Sequence, residues 1–317
     1  MRRHRFLIGL AAAAVSLSCA AQSAAPVLHL VVPFPAGGVT DLAARSLAER
    51  LGPALGQTVI VENRPGGGSR IGTDVVMKAA PDGQTLLFTN TSYAILPIVD
   101  PAVKYEAEKS LLPVGMLASY GLSLVVANAL PVKSLPELVA YARSRPGKLS
   151  YGSSGPGSGT HFLGEYFKWL TGTFIVHIPY RSTSAALNDV AGGTLDMTFD
   201  ATAKAYAEAG KVRMLAVTGT HRDPRMPGVP IAAEAGLKDF SVVSWVGLLA
   251  PVGTPVATVT RLNAALNEAL AAPALRQRLQ EMGLTPEGGD AARLSRQIGD
   301  DVRLHRQIAK QAGLRFD

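Results

Sequence analysis

The chain of 317 residues has a single cysteine, Cys19, and it lies close to the N-terminus. The rest of the sequence therefore has no thiol for a disulfide framework, a thiolate nucleophile or a cysteine-ligated metal. A fold without these supports depends on its hydrophobic core. About 290 residues are enough to build one as a single large domain or as two modest ones.

Several signatures of enzymes and nucleic-acid-binding proteins are missing as well. Aromatic residues make up 6% of the chain, and its basic residues are interleaved with acidic ones, unlike a nucleic-acid-binding surface. The histidines have neither HExxH nor paired metal-ligand spacing, the glycines of residues 155–159 lack the GxGxxG spacing, and no Gly-x-Ser-x-Gly elbow occurs. We therefore expect no metal, no cofactor and no nucleic-acid partner. A Ser-His-Asp triad assembled from distant positions stays open.

The first 25 residues have the layout of a secretory signal peptide. Three arginines precede an apolar run over residues 6–17, and small residues follow up to Ala25. The apolar run is shorter than a membrane-spanning helix requires, and cleavage after Ser23 or after Ala25 fits the small-residue rule. Lipidation of Cys19 and a twin-arginine signal at Arg2-Arg3 are alternatives that lead to the same compartment. We expect an exported, periplasmic protein.

Strand-like and helix-like segments alternate along the chain, which predicts an α/β fold with sheets flanked by helices. A less regular stretch, residues 96–115, separates two such units. The helices predicted at 254–271 and 291–311 have no sheet of their own to cover, so we expect them to return to the first unit. In the last helix Leu294, Ile298, Val302 and His305 share the inward face. The expected division is lobe 1 at 26–122 and 220–317, and lobe 2 at 123–219.

Two glycine-rich loops lead from a predicted strand into a predicted helix. The first contains Gly37 and Gly38, with Thr40 as the expected N-cap and Asp41 in the first turn. The second, residues 153–160, has three glycines and three serines ahead of a helix. Bare amides and hydroxyls at a helix N-terminus form an anion site, and ligands of open α/β sheets bind at such places. The alternative is that both loops are only tight turns.

Other polar residues follow predicted strands and are further candidates. Asn90, Thr91 and Ser92 follow the third strand, Tyr180 and Arg181 follow the strand that ends at 178, and Asp200 ends the strand at 195–199. Arg181 suits a carboxylate, and Asp200 could orient a loop or accept a hydrogen bond from a ligand amine or hydroxyl. His161 lies in the first turn after the second loop.

The order and spacing of eight short motifs, which together span almost the whole chain after residue 25, resemble one family. They are VVPFPAGG at 31–38 with Asp41, VENRPGGG at 61–68, APDG at 80–83 with TLL at 85–87, GPGSGTH at 155–161, VHIPYR at 176–181, GTLDMTFD at 193–200, GK at 210–211 with LAVT at 215–218, and AEAG at 233–236. The chain resembles the substrate-binding proteins of tripartite tricarboxylate transporters, the Bug family.

This resemblance implies a two-lobed Venus-flytrap fold that closes on a small carboxylate and delivers it to transmembrane permease subunits. It also implies that amides and hydroxyls of the loops bind the ligand, with Tyr180 and Asp200 at the cleft wall. The residues expected to bind it are Phe34, Ala36, Gly37, Gly38, Asp41, Thr91, Ser92, Ser153, Ser154, Ser158, Thr160, His161, Tyr180 and Asp200. The departures are Ser182 in place of a usual glycine, the altered segment 105–112, and a shorter loop over 201–210.

Three functions are compatible with these residues. The leading one is a monomeric periplasmic protein, without catalytic residues, that binds a di- or tricarboxylate, an amino acid or an aromatic acid. The second is a periplasmic hydrolase that uses His161 with a serine of the second loop. The third is a sensor that presents its closed form to a membrane receptor.

Overall fold

The computed structural model describes residues 26–315, so the expected signal peptide at 1–25 lies outside the described residues. The strands are β1 (Val27–Val32), β2 (Thr58–Asn63), β3 (Thr85–Asn90), β4 (Leu111–Tyr120), β5 (Ser123–Ala127), β6 (Ser150–Ser153), β7 (Val176–Pro179), β8 (Met197–Asp200), β9 (Val212–Val217), β10 (Ser244–Pro251) and β11 (Thr285–Pro286). The α-helices are α1 (Val39–Leu55), α2 (Arg70–Met77), α3 (Ser92–Val99), α4 (Leu135–Arg143), α5 (Gly159–Thr171), α6 (Thr183–Gly192), α7 (Lys204–Glu208), α8 (Val256–Ala271), α9 (Pro273–Glu281) and α10 (Ala291–Ala312). None of the described helices is both long and apolar enough to cross a membrane.

The strands form two mixed sheets. The six-stranded sheet has the order β11-β4-β10-β3-β1-β2, in which β1 is parallel to β2 and β3 while β10 runs antiparallel to β3 and β4. The five-stranded sheet has the order β7-β6-β8-β5-β9, in which β6 is parallel to β7 and β8 while β5 runs antiparallel to β8 and β9. Helices pack on both sheets. The α/β two-lobed fold class expected from the sequence is confirmed.

The chain passes twice between the two sheets, and the two crossings are hydrogen-bonded to each other. One crossing joins β4 to β5 and the other leaves β9. The amide of Leu122 donates to the hydroxyl of Thr218 at 2.9 Å, and the amide of Thr218 donates to the carbonyl of Leu122 at 2.8 Å. A Cβ placed on Gly121 would stand 2.2 Å from the carbonyl oxygen of Thr218. These two paired crossings form a narrow hinge. The lobe boundaries expected after residues 122 and 219 fall at these crossings and remain a prediction.

The C-terminal helices pack on the six-stranded sheet. Helix α8 contacts α1 and β4, and α10 contacts β4 and α3. The expected inward face of α10 is confirmed, because Leu294, Ile298, Val302 and His305 are each at most 3% exposed. Trp245 is 1% exposed and donates its indole N–H to Asp301 at 2.6 Å.

One local expectation was wrong and another held only in part. The first long helix begins at Val39 with Gly38 as its N-cap, so Thr40 is not the cap, and its hydroxyl instead accepts a hydrogen bond from Asn90. The less regular stretch, 96–115, has neither helix nor strand over residues 100–110, but it contains the end of α3 and the start of β4. Pro113 and Gly115 hide this strand in the sequence. The proline is accommodated because β10 shifts register between Leu248 and Leu249.

Candidate ligand-binding site

A cavity lies between the two sheets and is lined by residues of both. The empty space there, including the part that is open to solvent, is about 800 Å³. Six of the residues predicted to bind a ligand line the cavity, namely Phe34, Gly38, Thr91, Ser92, Ser154 and Thr160.

The N-termini of four helices converge on this cavity. The first amides of an α-helix have no partner within the helix, and the helix dipole adds a partial positive charge at that end. The four helix dipoles therefore favour an anion at the cavity, although the amides of Ser92 and Gly159 are already bonded to Asn90 and to the Ser92 hydroxyl. The residues that start these helices and line the cavity are Gly38 and Val39 of α1, Thr91 and Ser92 of α3, Gly159 and Thr160 of α5, and Ser182 and Thr183 of α6.

Among the lining residues of the described chain, Arg181 is the only charged side chain, and no carboxylate is present. Together with the four helix ends, this arginine gives the cavity a positive potential. The site therefore favours an anion, and a guanidinium is suited to bind a carboxylate.

The remaining walls of the cavity are largely apolar. They come from both sheets and include Phe34, Ile95, Leu122, Phe162 and Val242. The cavity therefore combines a positive potential with apolar walls.

Asp41 shapes the first loop and does not line the cavity. Its carboxylate, 1% exposed, accepts hydrogen bonds from the amide of Gly37 at 2.9 Å, from Asn63 at 2.9 Å and from Arg45 at 3.1 Å. Burial on its own would raise the pKa of Asp41, but these hydrogen bonds outweigh it and lower the pKa below its ordinary value. Gly38 is the glycine of this loop that lines the cavity. The Gly37 amide is already bonded to Asp41, and Ala36 is exposed outside the cavity.

The turn after β3 contacts the other lobe through a hydrogen bond. Asn90 accepts from the amide of Ser92 at 2.9 Å, and the Thr91 hydroxyl accepts from the amide of Trp245 at 3.1 Å. The Ser92 hydroxyl accepts a hydrogen bond from the amide of Gly159, at the start of α5 in the other lobe, at 3.0 Å. The lobes therefore touch directly at the cavity.

The second loop is held by its own hydroxyls. Thr160 accepts from the amide of Ser154 at 3.0 Å, and their hydroxyls are 3.1 Å apart. Ser158 caps α5 by accepting from the amide of His161 at 3.2 Å and donates to the carbonyl of Gly155 at 2.7 Å. Ser158 therefore positions the helix start without lining the cavity.

Ser153 and His161 belong to a buried group behind the second loop. The rings of His161 and His177 stack with centroids 3.9 Å apart, and the Ser153 hydroxyl is 2.7 Å from His177 Nε2. Burial and the neighbouring His177 lower the pKa of His161 to about 3, and burial also lowers that of His177. Ser153 is 0% exposed, and neither it nor His161 lines the cavity. The serine-histidine pair of this loop is thus Ser153–His177, and it is shielded from a ligand.

Tyr180 and Asp200 lie outside the cavity lining. Tyr180 faces a second opening between the lobes and donates to Asp189 at 2.7 Å. Asp200, 1% exposed, accepts from the amide of Thr202 at 2.6 Å and from its hydroxyl at 2.7 Å, and it also bonds Thr183. Burial raises the pKa of Asp200 although these hydrogen bonds act against it. Asp200 therefore positions Thr183, which does line the cavity.

Several lining residues were not among the predicted binding residues. Ser182, noted in the sequence only as a departure from the family, caps α6 and accepts from the amide of Ala185 at 3.2 Å. Its position directly before a predicted helix was the sequence signal that could have identified it. The residues of β4 and β10 and the last helix that line the cavity, Tyr120, Ser244 and His305, follow no loop motif and carried no such signal. In the described residues no group of three or more His, Cys, Asp or Glu could hold a metal ion.

Comparison with known proteins places these features in one family. The model of the tripartite tricarboxylate transporter family receptor matches residues 43–314. The structure of the periplasmic binding protein BugD is 33% identical, covers 91% of this chain and 98% of its own, and superposes with a TM-score of 0.86.

Two similar solved structures contain organic acids. A protein from R. palustris, solved with adipate, is 35% identical, with a TM-score of 0.86, and covers 91% of this chain and 97% of its own. MatC from Rhodopseudomonas palustris, solved with bound malate, is 31% identical, with a TM-score of 0.83, and covers 89% of this chain and 98% of its own.

Proposed function

The chain belongs to the tripartite tricarboxylate transporter receptor family. We propose that it captures a small carboxylate between its lobes in the periplasm and delivers it to transmembrane permease subunits. The convergence of four helix N-termini on one cavity carries this proposal, because the helix dipoles favour an anion and no carboxylate of the described chain lines the cavity. The family consists of solute-binding receptors and not of enzymes. In the hydrolase alternative, the serine that is bonded to a histidine, Ser153, is buried away from the cavity, whereas Ser154, which lines the cavity, is bonded to Thr160.

The acids in the related structures support the ligand class. Adipate and malate are both dicarboxylates of small size, and each was found in a relative with the same fold. An anionic group at the helix starts with an apolar body against Phe34 and Phe162 fits the cavity described above. In the capture mechanism, the ligand binds the open form and its additional contacts to both lobes shift the population to the closed form.

A thermal-shift screen on the protein purified without added acid tests the proposal. Adipate, malate and hexanoate are compared with the uncharged adipamide, and native mass spectrometry reports the stoichiometry. An acid at 100 times its dissociation constant stabilises the folded protein by about 2.7 kcal/mol. We expect stabilisation by at least one acid and none by adipamide. If no acid in the set stabilised the protein, or if adipamide did so equally, the carboxylate proposal would be wrong.

A pair of glycine variants locates the site. A Cβ on Gly38 has its nearest neighbour at 3.8 Å, so Gly38→Leu can fold and places its side chain at the cavity. Gly228→Leu is the control, because a Cβ there meets nothing within 4 Å and the residue is remote from the lining. We expect Gly38→Leu to abolish acid binding and Gly228→Leu to retain it. Equal binding by the two variants would show that the acid binds elsewhere.

A further inference from the structure

His305 lies in the cavity wall with one ring nitrogen unused. It belongs to α10, is 1% exposed and lines the cavity. Its Nδ1 is 2.7 Å from the carbonyl oxygen of Asp301. A carbonyl only accepts hydrogen bonds, so Nδ1 carries the proton and donates it. In the neutral ring Nε2 is then an acceptor, and within the described chain it is buried without a hydrogen-bond partner.

The ring of His305 is neutral at neutral pH. Burial lowers the pKa of His305 to about 4, although its hydrogen bond to the carbonyl of Asp301 acts in the opposite direction. The carboxylate of Asp301 does not offset this burial, because it is bonded to Trp245 at 2.6 Å and to Gln297 at 2.9 Å. His305, which lines the cavity, therefore carries a buried lone pair on Nε2 and no positive charge.

The contact that covers His305 comes from the other lobe. The ring of Phe162, on α5, packs edge-on against the His305 ring with centroids 4.9 Å apart. Helix α5 packs on the five-stranded sheet, whereas α10 packs on the six-stranded one. Because the two helices pack on different sheets, a separation of the lobes would uncover the His305 ring. Nε2 is buried in this structure, so a ligand would reach it only with the lobes apart.

We infer that Nε2 of His305 accepts a hydrogen bond from a hydroxyl of the ligand, and that the preferred ligand is a hydroxylated carboxylate with an apolar body. The inference rests on the proposed function, because the helix N-termini must hold the carboxylate. A ligand ammonium would also donate to Nε2, but no carboxylate of the described chain lines the cavity to balance its charge, and Arg181 would repel it. A second ligand carboxylate would bring an acceptor to an acceptor and gain nothing from His305.

Matched acids test the inference by isothermal titration calorimetry on the full mature chain at pH 7.5. The pairs are hexanoate with 6-hydroxyhexanoate, benzoate with 4-hydroxybenzoate, and propionate with lactate, while adipate serves as the acid with a second carboxylate. We expect the hydroxylated member of the pair that fits the cavity to bind about tenfold more tightly than its partner. In His305→Phe, which keeps a planar ring but has no acceptor, the two members should bind within about twofold of each other. In His305→Gln, whose amide oxygen is an acceptor, part of the preference should return.

The outcomes separate this inference from the proposed function. If the unsubstituted acids bind and no hydroxyl improves affinity, or if the preference persists in His305→Phe, the role of His305 is wrong while carboxylate capture stands. If none of the acids binds the wild-type protein, both fail. Should His305→Phe not fold, as judged by circular dichroism, the wild-type pairs and His305→Gln decide, and equal affinities within every pair overturn the inference.

Discussion

The buried histidines behind the second loop make the stability of the protein depend on pH. The pKa of His161 is lowered to about 3 in the folded chain, whereas its ordinary value is 6.5. Between these values the unfolded chain binds a proton that the folded chain does not, so stability is complete above pH 6.5 and falls as the pH decreases. Asp301 acts in the opposite direction below about pH 6, because burial raises its pKa to about 6.

We therefore expect His161→Gln to reduce the loss of stability between pH 7 and pH 5 by about 2 kcal/mol relative to the wild type. A glutamine keeps an acceptor for the amide of Gly157 but does not titrate. Urea unfolding at several pH values measures the effect. His221→Gln, at an exposed histidine, is the control variant. A wild-type slope in the His161→Gln protein would contradict the prediction.

Asp41 is a second residue whose effect on stability is separable from ligand contact. Asp41→Ala leaves the Gly37 amide, Asn63 and Arg45 without their shared acceptor. We expect a loss of about 3 kcal/mol in the free energy of unfolding, because removing one member of a buried charged network leaves its partners unsatisfied. Glu268→Ala, an exposed acid on α8, should change it by less than about 0.5 kcal/mol. Similar stabilities of the two variants would show that Asp41 does not organise the first loop.

Helix caps contribute to stability throughout the chain, but only some of them lie at the cavity. Ser182 caps α6 at the cavity, and Ser134 caps α4 away from it, each by accepting from an amide three residues later. We expect Ser182→Ala and Ser134→Ala each to cost about 1 kcal/mol in stability. Only Ser182→Ala should also weaken acid binding, as measured by titration calorimetry. Equal effects of both variants on affinity would remove α6 from the site.

The hinge requires a glycine at one position. Because a Cβ on Gly121 would stand 2.2 Å from the carbonyl of Thr218, Gly121→Ala forces the two crossings apart. We expect a loss of about 3 kcal/mol in chemical denaturation. Gly228→Ala should be close to neutral because its Cβ meets nothing within 4 Å. A fully stable Gly121→Ala protein would mean that the crossings are more mobile than their hydrogen bonds indicate.

For the molecule as a whole, the sequence predicted the two sheets and the loops of the site better than it predicted the residues that form the walls of the cavity. Gly38 and Ser154 could be found because each follows a strand with glycines nearby, a pattern that local backbone geometry dictates. His305 was predicted only as an inward residue of its helix. Its place in the cavity depends on how α10 packs on β4, and that packing is set by contacts far apart in the sequence. Asp41 and His161 match family motifs and Ser153 belongs to the second loop, but all three support the loops from behind.

The same arrangement explains why binding and closure are coupled. Ser92 and Gly159 meet across the cleft, and Phe162 packs on His305 across the same boundary. A ligand between these residues contacts both lobes only when they are closed, so it stabilises the closed form by its additional contacts. Two short crossings are all that must bend.

The most direct test is a crystal structure of the protein with the tightest-binding acid from the screen. We expect its carboxylate within hydrogen-bond distance of amides or hydroxyls at the starts of at least two of the four helices α1, α3, α5 and α6. Its body should lie against Phe34 and Phe162. An acid bound outside this cavity, or with its carboxylate turned away from every one of these helix starts, would contradict the central claim.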